Sequence, residues 1–223
     1  MKRILYTFIV ISFLTISCTK DNFIDTGISN GRFSGNVLEY MATNPYDWDS
    51  TRLLIEHAGE DMVRLFKGED PTHKEITFLG ITNHSIRRHI LENGLKRVSD
   101  LDKEWCRKML LQHIIDGKLY RKDIPVGKQG EFGTIGTGGM TVKTLDGKEV
   151  WIYIVIEDQG MGEGEFLPKH IYVNFMSTQN FAIASGDIEP DNAIIHALDY
   201  NFTLGDSDKN SSEDSEEEYP WWE

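Results

Sequence analysis

The sequence predicts an α+β fold in which an antiparallel sheet follows a run of helices. Three observations carry this. From Val37 to Ile115, apolar residues recur at helical spacing, with Gly59, Gly68 and Gly94 acting as stops. After Gly117 the pattern alternates, at Met140, Val142 and Thr144 and again from His170 to Phe175, as strands require. Between the first alternating run and the next apolar one lies Asp146-Gly147, a hairpin turn in which glycine accepts positive φ at little cost.

Taken in order, Val37, Leu38 and Met41 form the first apolar face, and Asn44-Pro45 opens a second helix, with Asn as cap and Pro at the first helical position. That helix carries Leu53, Leu54 and Ala58, and a third carries Met62, Leu65 and Phe66. Ile76 to Leu79 is a short strand. Thr82 or Asn83 caps the helix Ile86 to Asn93, and Ser99 with Asp102 makes a capping-box-like start to the helix carrying Trp105 to Ile115. Val150 to Ile156 reads as a buried strand. Phe181 to Ala184 is short, and Ile194 to Leu198 follows the turn Glu189-Pro190-Asp191-Asn192.

The ends differ from this middle. Residues 1–17 combine Lys2-Arg3, an apolar stretch too short to span a bilayer and a small Ser17 before Cys18, the pattern of a lipoprotein export signal. Cleavage before an acylated Cys18 would make the membrane a partner through a lipid anchor. Residues 18–35 are polar and glycine-containing, a flexible tether. Residues 36–204 form the domain, and 205–223 an acidic tail whose composition favours disorder. With Cys18 committed to lipid, Cys106 has no intrachain partner, and it sits in an apolar-periodic stretch as a small inert hydrophobe. The formal net charge of −13 excludes nucleic acid as a partner, since that binding needs a basic surface.

Catalytic patterns are missing. There is no Gly-x-Ser-x-Gly elbow, no phosphate loop and no His-Glu-x-x-His, and His84 and His89 are five apart, off a common helix face. Gly160, Gly162 and Gly164 lack the strand-to-helix setting of a dinucleotide loop and read as a hairpin connection. Asp206, Asp208, Asn210 and Glu217 have calcium-loop spacing, but Ser211 stands where the sharp turn needs Gly. No catalytic residue, metal site or cofactor is therefore assigned. Asp49-Ser50-Thr51 fits a short O-glycosylation pattern, and helix capping explains the same residues. Tyr219, Trp221 and Trp222 are candidate aromatic contacts to a partner or a sugar ring.

Three boxes then occur in order: Ile76-Thr77-Phe78-Leu79-Gly80-Ile81-Thr82-Asn83; Leu110-Leu111-Gln112-His113-Ile114-Ile115-Asp116-Gly117; and Ser185 to Ile188 followed by Asp191-Asn192-Ala193-Ile194-Ile195-His196-Ala197-Leu198-Asp199. Together they resemble the fasciclin (FAS1) domain, in a lipoprotein of Bacteroidetes type. The resemblance implies a wedge of antiparallel β-sheets with the N-terminal helices packed on one side. It also implies an adhesive or scaffolding module without chemistry of its own. Thr82, Asn83, His113, Ile194, His196 and Asp199 fall on its motif positions, mainly as structural residues. Gln112 replaces the tyrosine of the family's Tyr-His pair, which removes the reason to carry integrin recognition over. The expectation is a surface-exposed outer-membrane lipoprotein that binds a host or neighbouring-cell macromolecule, an unknown protein or glycan. The alternative is glycan capture in nutrient uptake.

Overall fold

The computed structural model of the protein describes residues 31–157 and 167–208. The export signal, Cys18, the tether up to Asn30, Gly160 to Gly164, and Tyr219, Trp221 and Trp222 lie outside the described residues. The described helices come early: α1 (Val37–Thr43), α2 (Pro45–Ala58), α3 (Glu60–Phe66), α4 (Asn83–Glu92) and α5 (Lys103–Leu111). Local chemistry starts them. Asn36 accepts a bond from the Glu39 amide at 3.1 Å while Glu39 accepts from the Asn36 amide at 2.8 Å, a reciprocal cap. Pro45 opens α2, and Asp102, accepting from the Trp105 amide at 2.8 Å, opens α5.

The strands are β1 (Arg32–Phe33), β2 (Ile76–Gly80), β3 (Ile114–Asp116), β4 (Gly127–Lys128), β5 (Thr137–Gly138), β6 (Met140–Lys143), β7 (Glu149–Ile156), β8 (Lys169–Asn174), β9 (Phe181–Pro190) and β10 (Ala193–Leu198). Among the described residues, β4 and β5 form a small ribbon. The other eight form one sheet in the order β3-β2-β10-β9-β8-β7-β6, with β1 against β9. The sheet is mostly antiparallel, as expected, and also holds two parallel pairings: β10 with β2, and β1 with β9. Two adjacent strands, β2 and β10, are buried along their whole length. Burying such strands on both faces is the reason their sequences read as continuous apolar runs rather than alternating ones.

Several expectations are corrected. The helix expected to reach Ile115 ends at Leu111, and Ile114–Asp116 is strand β3, paired with Ile76 to Phe78. Two consecutive β-branched residues beside an open edge of β2 gain more from the ladder than from another helical turn. The segment expected as Phe181 to Ala184 runs on to Pro190, so the turn contracts to Asp191-Asn192. Pro190 is tolerated there as the last residue of its strand. Asp49-Ser50-Thr51 does not cap a helix: it lies inside α2, where Thr51 is buried and donates to the Ile81 carbonyl.

Both domain boundaries also move outward. Residues 31–35, assigned to the tether, hold β1 and dock on the β9–β10 turn. Glu189 donates its amide to the Gly31 carbonyl at 2.6 Å, and Asp191 accepts from the Gly35 amide at 2.8 Å. Gly31 has to be glycine, since a Cβ there would lie 2.4 Å from the Asp187 carbonyl oxygen. At the other end, the sequence places residues 205–208 in the tail. They instead form a turn of 3₁₀ helix, Asp206–Asp208, in which Asp206 and Ser207 are buried. The charge that made this segment look solvated is neutralised: Lys108 Nζ meets Asp208 Oδ2 at 2.6 Å, and Gln112 donates to Asp208 Oδ1 at 2.8 Å.

One core joins helices to sheet. Phe66 packs edge-on against Phe78 at 5.0 Å, and Phe181 against Phe202 at 5.0 Å. Trp48 of α2 lies on Gly80 at the end of β2. A Cβ on that glycine would come within 2.5 Å of the indole, so the close approach requires Gly there.

Candidate binding surface

The two motif histidines flank Leu79 of β2 and face inward. His196 pairs with Leu79 across the parallel ladder, and the Leu79 amide donates to the His113 carbonyl at 2.8 Å from the other side. The His196 ring accepts at Nδ1 from the Asp187 amide at 3.3 Å, so Nε2–H donates to the Leu119 carbonyl at 2.9 Å. That arrangement anchors the bulge of β9, where Asp187 takes φ 56°, and the loop after β3. His113 donates from Nδ1 to the Met109 carbonyl at 2.7 Å and is enclosed by Phe175 and Phe202. Its Nε2 is buried and has no hydrogen-bond partner among the described residues. Burial lowers both imidazoles, His113 to about 4, so both are neutral at physiological pH. Neither ring reaches solvent, and neither can meet a ligand.

Cys106 is as closed. Its thiol is fully buried, and burial, helped by Asp102, pushes it up to about 12, so no thiolate is available for chemistry. Among the described residues no group of three or more His, Cys, Asp or Glu is placed to hold a metal ion.

The remaining motif residues build structure at the edge of something open. Thr82 is the N-cap of α4 by backbone geometry, without a side-chain cap bond. Asn83 does more: its Nδ2 donates to the carbonyls of Pro45 and Tyr46 at 2.9 and 2.7 Å, and its Oδ1 accepts from the Ser50 amide at 2.7 Å. One amide thereby clamps the first turn of α4 to the first turns of α2. Ile194 is buried in β10, and Asp199 caps the following turn through the Asn201 amide at 3.1 Å. Asn192, in the third box but not expected as a site residue, joins three elements. It accepts from Val37 of α1 at 3.2 Å and donates to Phe66 of α3 at 3.1 Å, while its carbonyl receives the Ile76 amide.

The Asn83 clamp sets the wall of a groove of about 670 Å³ between α2, α4 and residues 96–98. Tyr46, Ser50 and Leu53 line it from α2 at spacings of four and three, which place them on one helix face. Asn83, Arg87 and Ile90 line it from α4 at the same spacings, with Leu91 beside them. Its apolar side chains are unusually open: Tyr46 is 81% exposed, Leu91 64% and Leu53 43%. His84, Arg87, Lys96 and Arg97 supply the polar rim, and no carboxylate lines it. Arg97 is partly neutralised by Asp100 at 3.0 Å. The side chains of His84, Arg87 and Lys96 form no hydrogen bond or ion pair with the described residues. Sequence reading missed this surface because three separate elements contribute to it; the shared i, i+4, i+7 spacing in α2 and α4 was the available signal.

A family model of the Fasciclin domain matches residues 61–202. Among solved structures, the chain is similar to a FAS1 domain pair from the insect cell adhesion molecule fasciclin I, at 17% identity and a TM-score of 0.44. That match covers 74% of this chain and 46% of the other, so the chain spans less than half of the domain pair. No curated protein matches.

Proposed function

The chain belongs to the fasciclin domain family, and from that membership we propose that it is a non-enzymatic adhesion module whose contact surface is the α2–α4 groove. The observation that carries this is the groove's mixture of exposed Tyr46, Leu53 and Leu91 with the uncommitted cations Arg87 and Lys96, on a chain of formal charge −13. Exposed apolar side chains beside unpaired charges are the composition of a recognition surface rather than of a solvated face. The ligand that suits it is a macromolecule presenting acidic groups next to apolar or ring surface, on a host or neighbouring cell. The export signal supports a lipid anchor at Cys18 and an outer-membrane, surface-exposed placement.

Cell attachment tests the groove. Cells displaying Arg87→Glu with Leu91→Ser should lose attachment that the parent chain supports, while the purified variant keeps its melting temperature. Attachment equal to the parent would remove the groove from the function. Protease shaving and fatty-acid labelling test the anchor: Cys18→Ser should abolish both surface exposure and label. If groove variants attach normally and Trp221→Ala with Trp222→Ala does not, the tail tryptophans carry the contact, as glycan capture would require.

A further inference from the structure

We infer that the groove's resident occupant is the chain's own acidic-aromatic segment, Glu213 to Trp222, which docks there in cis and must be displaced by an external ligand. The inference rests on the groove being the binding surface. Complementarity carries it. The segment presents Glu213, Asp214, Glu216, Glu217 and Glu218, followed by Tyr219, Trp221 and Trp222. The groove presents His84, Arg87 and Lys96 without partners among the described residues, beside the open side chains of Tyr46, Leu53 and Leu91. Carboxylates followed by rings therefore meet cations bordering an apolar floor, and a groove without carboxylates gives the segment nothing to repel it.

Reach and placement agree. The last described residues are held beside α4 and α5: Gly205 lies against the stacked rings of His89 and Trp105, and Asp208 is fixed by Lys108 and Gln112. The groove lies on another face of the same α4. About 15 residues follow Asp208, with an extended reach of roughly 50 Å, several times the ~10 Å diameter of a helix. A segment tethered this closely presents itself at an effective concentration on the order of millimolar, so even weak contacts keep the groove occupied. A free acidic ligand must exceed that concentration or bind more tightly. Attachment would then be graded by competition.

Zero-length carbodiimide coupling of the full chain, read by peptide mass spectrometry, tests this. Lys96 is the groove's lysine, and the Lys108–Asp208 pair at 2.6 Å supplies an internal control that any folded chain should give. The expected product joins Lys96 to one of Glu213 to Glu218 within one chain, with a yield that does not change on about tenfold dilution. In Arg87→Glu, and separately in Trp221→Ala with Trp222→Ala, that product should fall by about tenfold while the control product persists. The inference is overturned if the control forms and the Lys96 product does not, or if that product joins two chains and fades on dilution. The attachment assay separates the two readings. Loss of attachment in Arg87→Glu without a Lys96 product leaves the groove as the ligand site and removes the occupant. A Lys96 product with attachment indifferent to Arg87→Glu keeps the occupant and removes the adhesive role.

Discussion

At the C-terminal end of α5 polar groups are consumed by the fold, whereas along the α2–α4 groove they are left over. Lys108, Gln112, Ser207 and Asp208 bind one another: Ser207 donates to Gln112 Oε1 at 2.9 Å, Gln112 donates to Asp208, and Lys148 donates to the Ser207 carbonyl. Burial raises the Asp208 carboxyl, but bonds from Lys108 and Gln112 outweigh it and hold the group below the ordinary carboxylate range. In the groove, Asn83 is committed to structure and Arg97 pairs with Asp100, whereas Arg87 and Lys96 face outward beside open apolar groups. A polar side chain that satisfies neighbours fixes geometry; one that satisfies none, next to exposed carbon, is available for a partner.

Four experiments break or sharpen this contrast, and the largest effect comes from acid. His113 is lowered from 6.5 to about 4 by burial, so between those values the unfolded chain binds more protons at this ring than the folded one, and burial shifts His196 in the same direction. Stability is therefore complete above about pH 6.5 and falls as pH drops toward 4, by about 3 kcal/mol for His113 alone. Denaturant midpoints at pH 7.5, 5.5 and 4.5 should decline accordingly, and His113→Gln should flatten the decline; a level profile in the parent would contradict the buried neutral ring.

Next, Gln112→Ala strips the C-terminal lock of its central amide and should cost about 2 kcal/mol in urea unfolding, because Ser207 and Asp208 lose partners. Asn83→Ala should cost about 1 to 2 kcal/mol, less because water can replace bonds at that half-exposed site. It should also weaken attachment, which Gln112→Ala at matched stability should not. The smallest change in stability, within about 0.5 kcal/mol, belongs to Arg87→Glu, which should nonetheless abolish attachment. A melting temperature that falls several degrees in Arg87→Glu would show the groove to be part of the fold after all.

Much of the fold was legible where a short-range device decided it. Pro45 marks a helix start from one residue and Val150 to Ile156 announces a buried strand by composition, whereas α5 is capped by Asp102 and not, as expected, by Ser99, which lies in the turn before it. Strand β3 was hidden because Ile114 and Ile115 continue the helical spacing of α5, and the partner that wins them, β2, lies far back in the chain. Residues 206–208 were hidden for a related reason. Their acids look solvated until Lys108 and Lys148, distant in sequence, are brought beside them. The clamp made by Asn83 depends on α2 carbonyls that no spacing rule identifies. The groove escaped entirely, being a property of three elements at once.

The clasp formed by β1 has a mechanical meaning. Arg32 and Phe33 pair with Glu189 and Pro190, and the next bonds along the chain run from Gly35 and Val37 to Asp191 and Asn192. A chain pulled from the side of residue 31 loads this short row, which ends at the first residue of α1, before tension reaches the central strands. The short β1–β9 pairing is thus where a pull on residue 31 is first met.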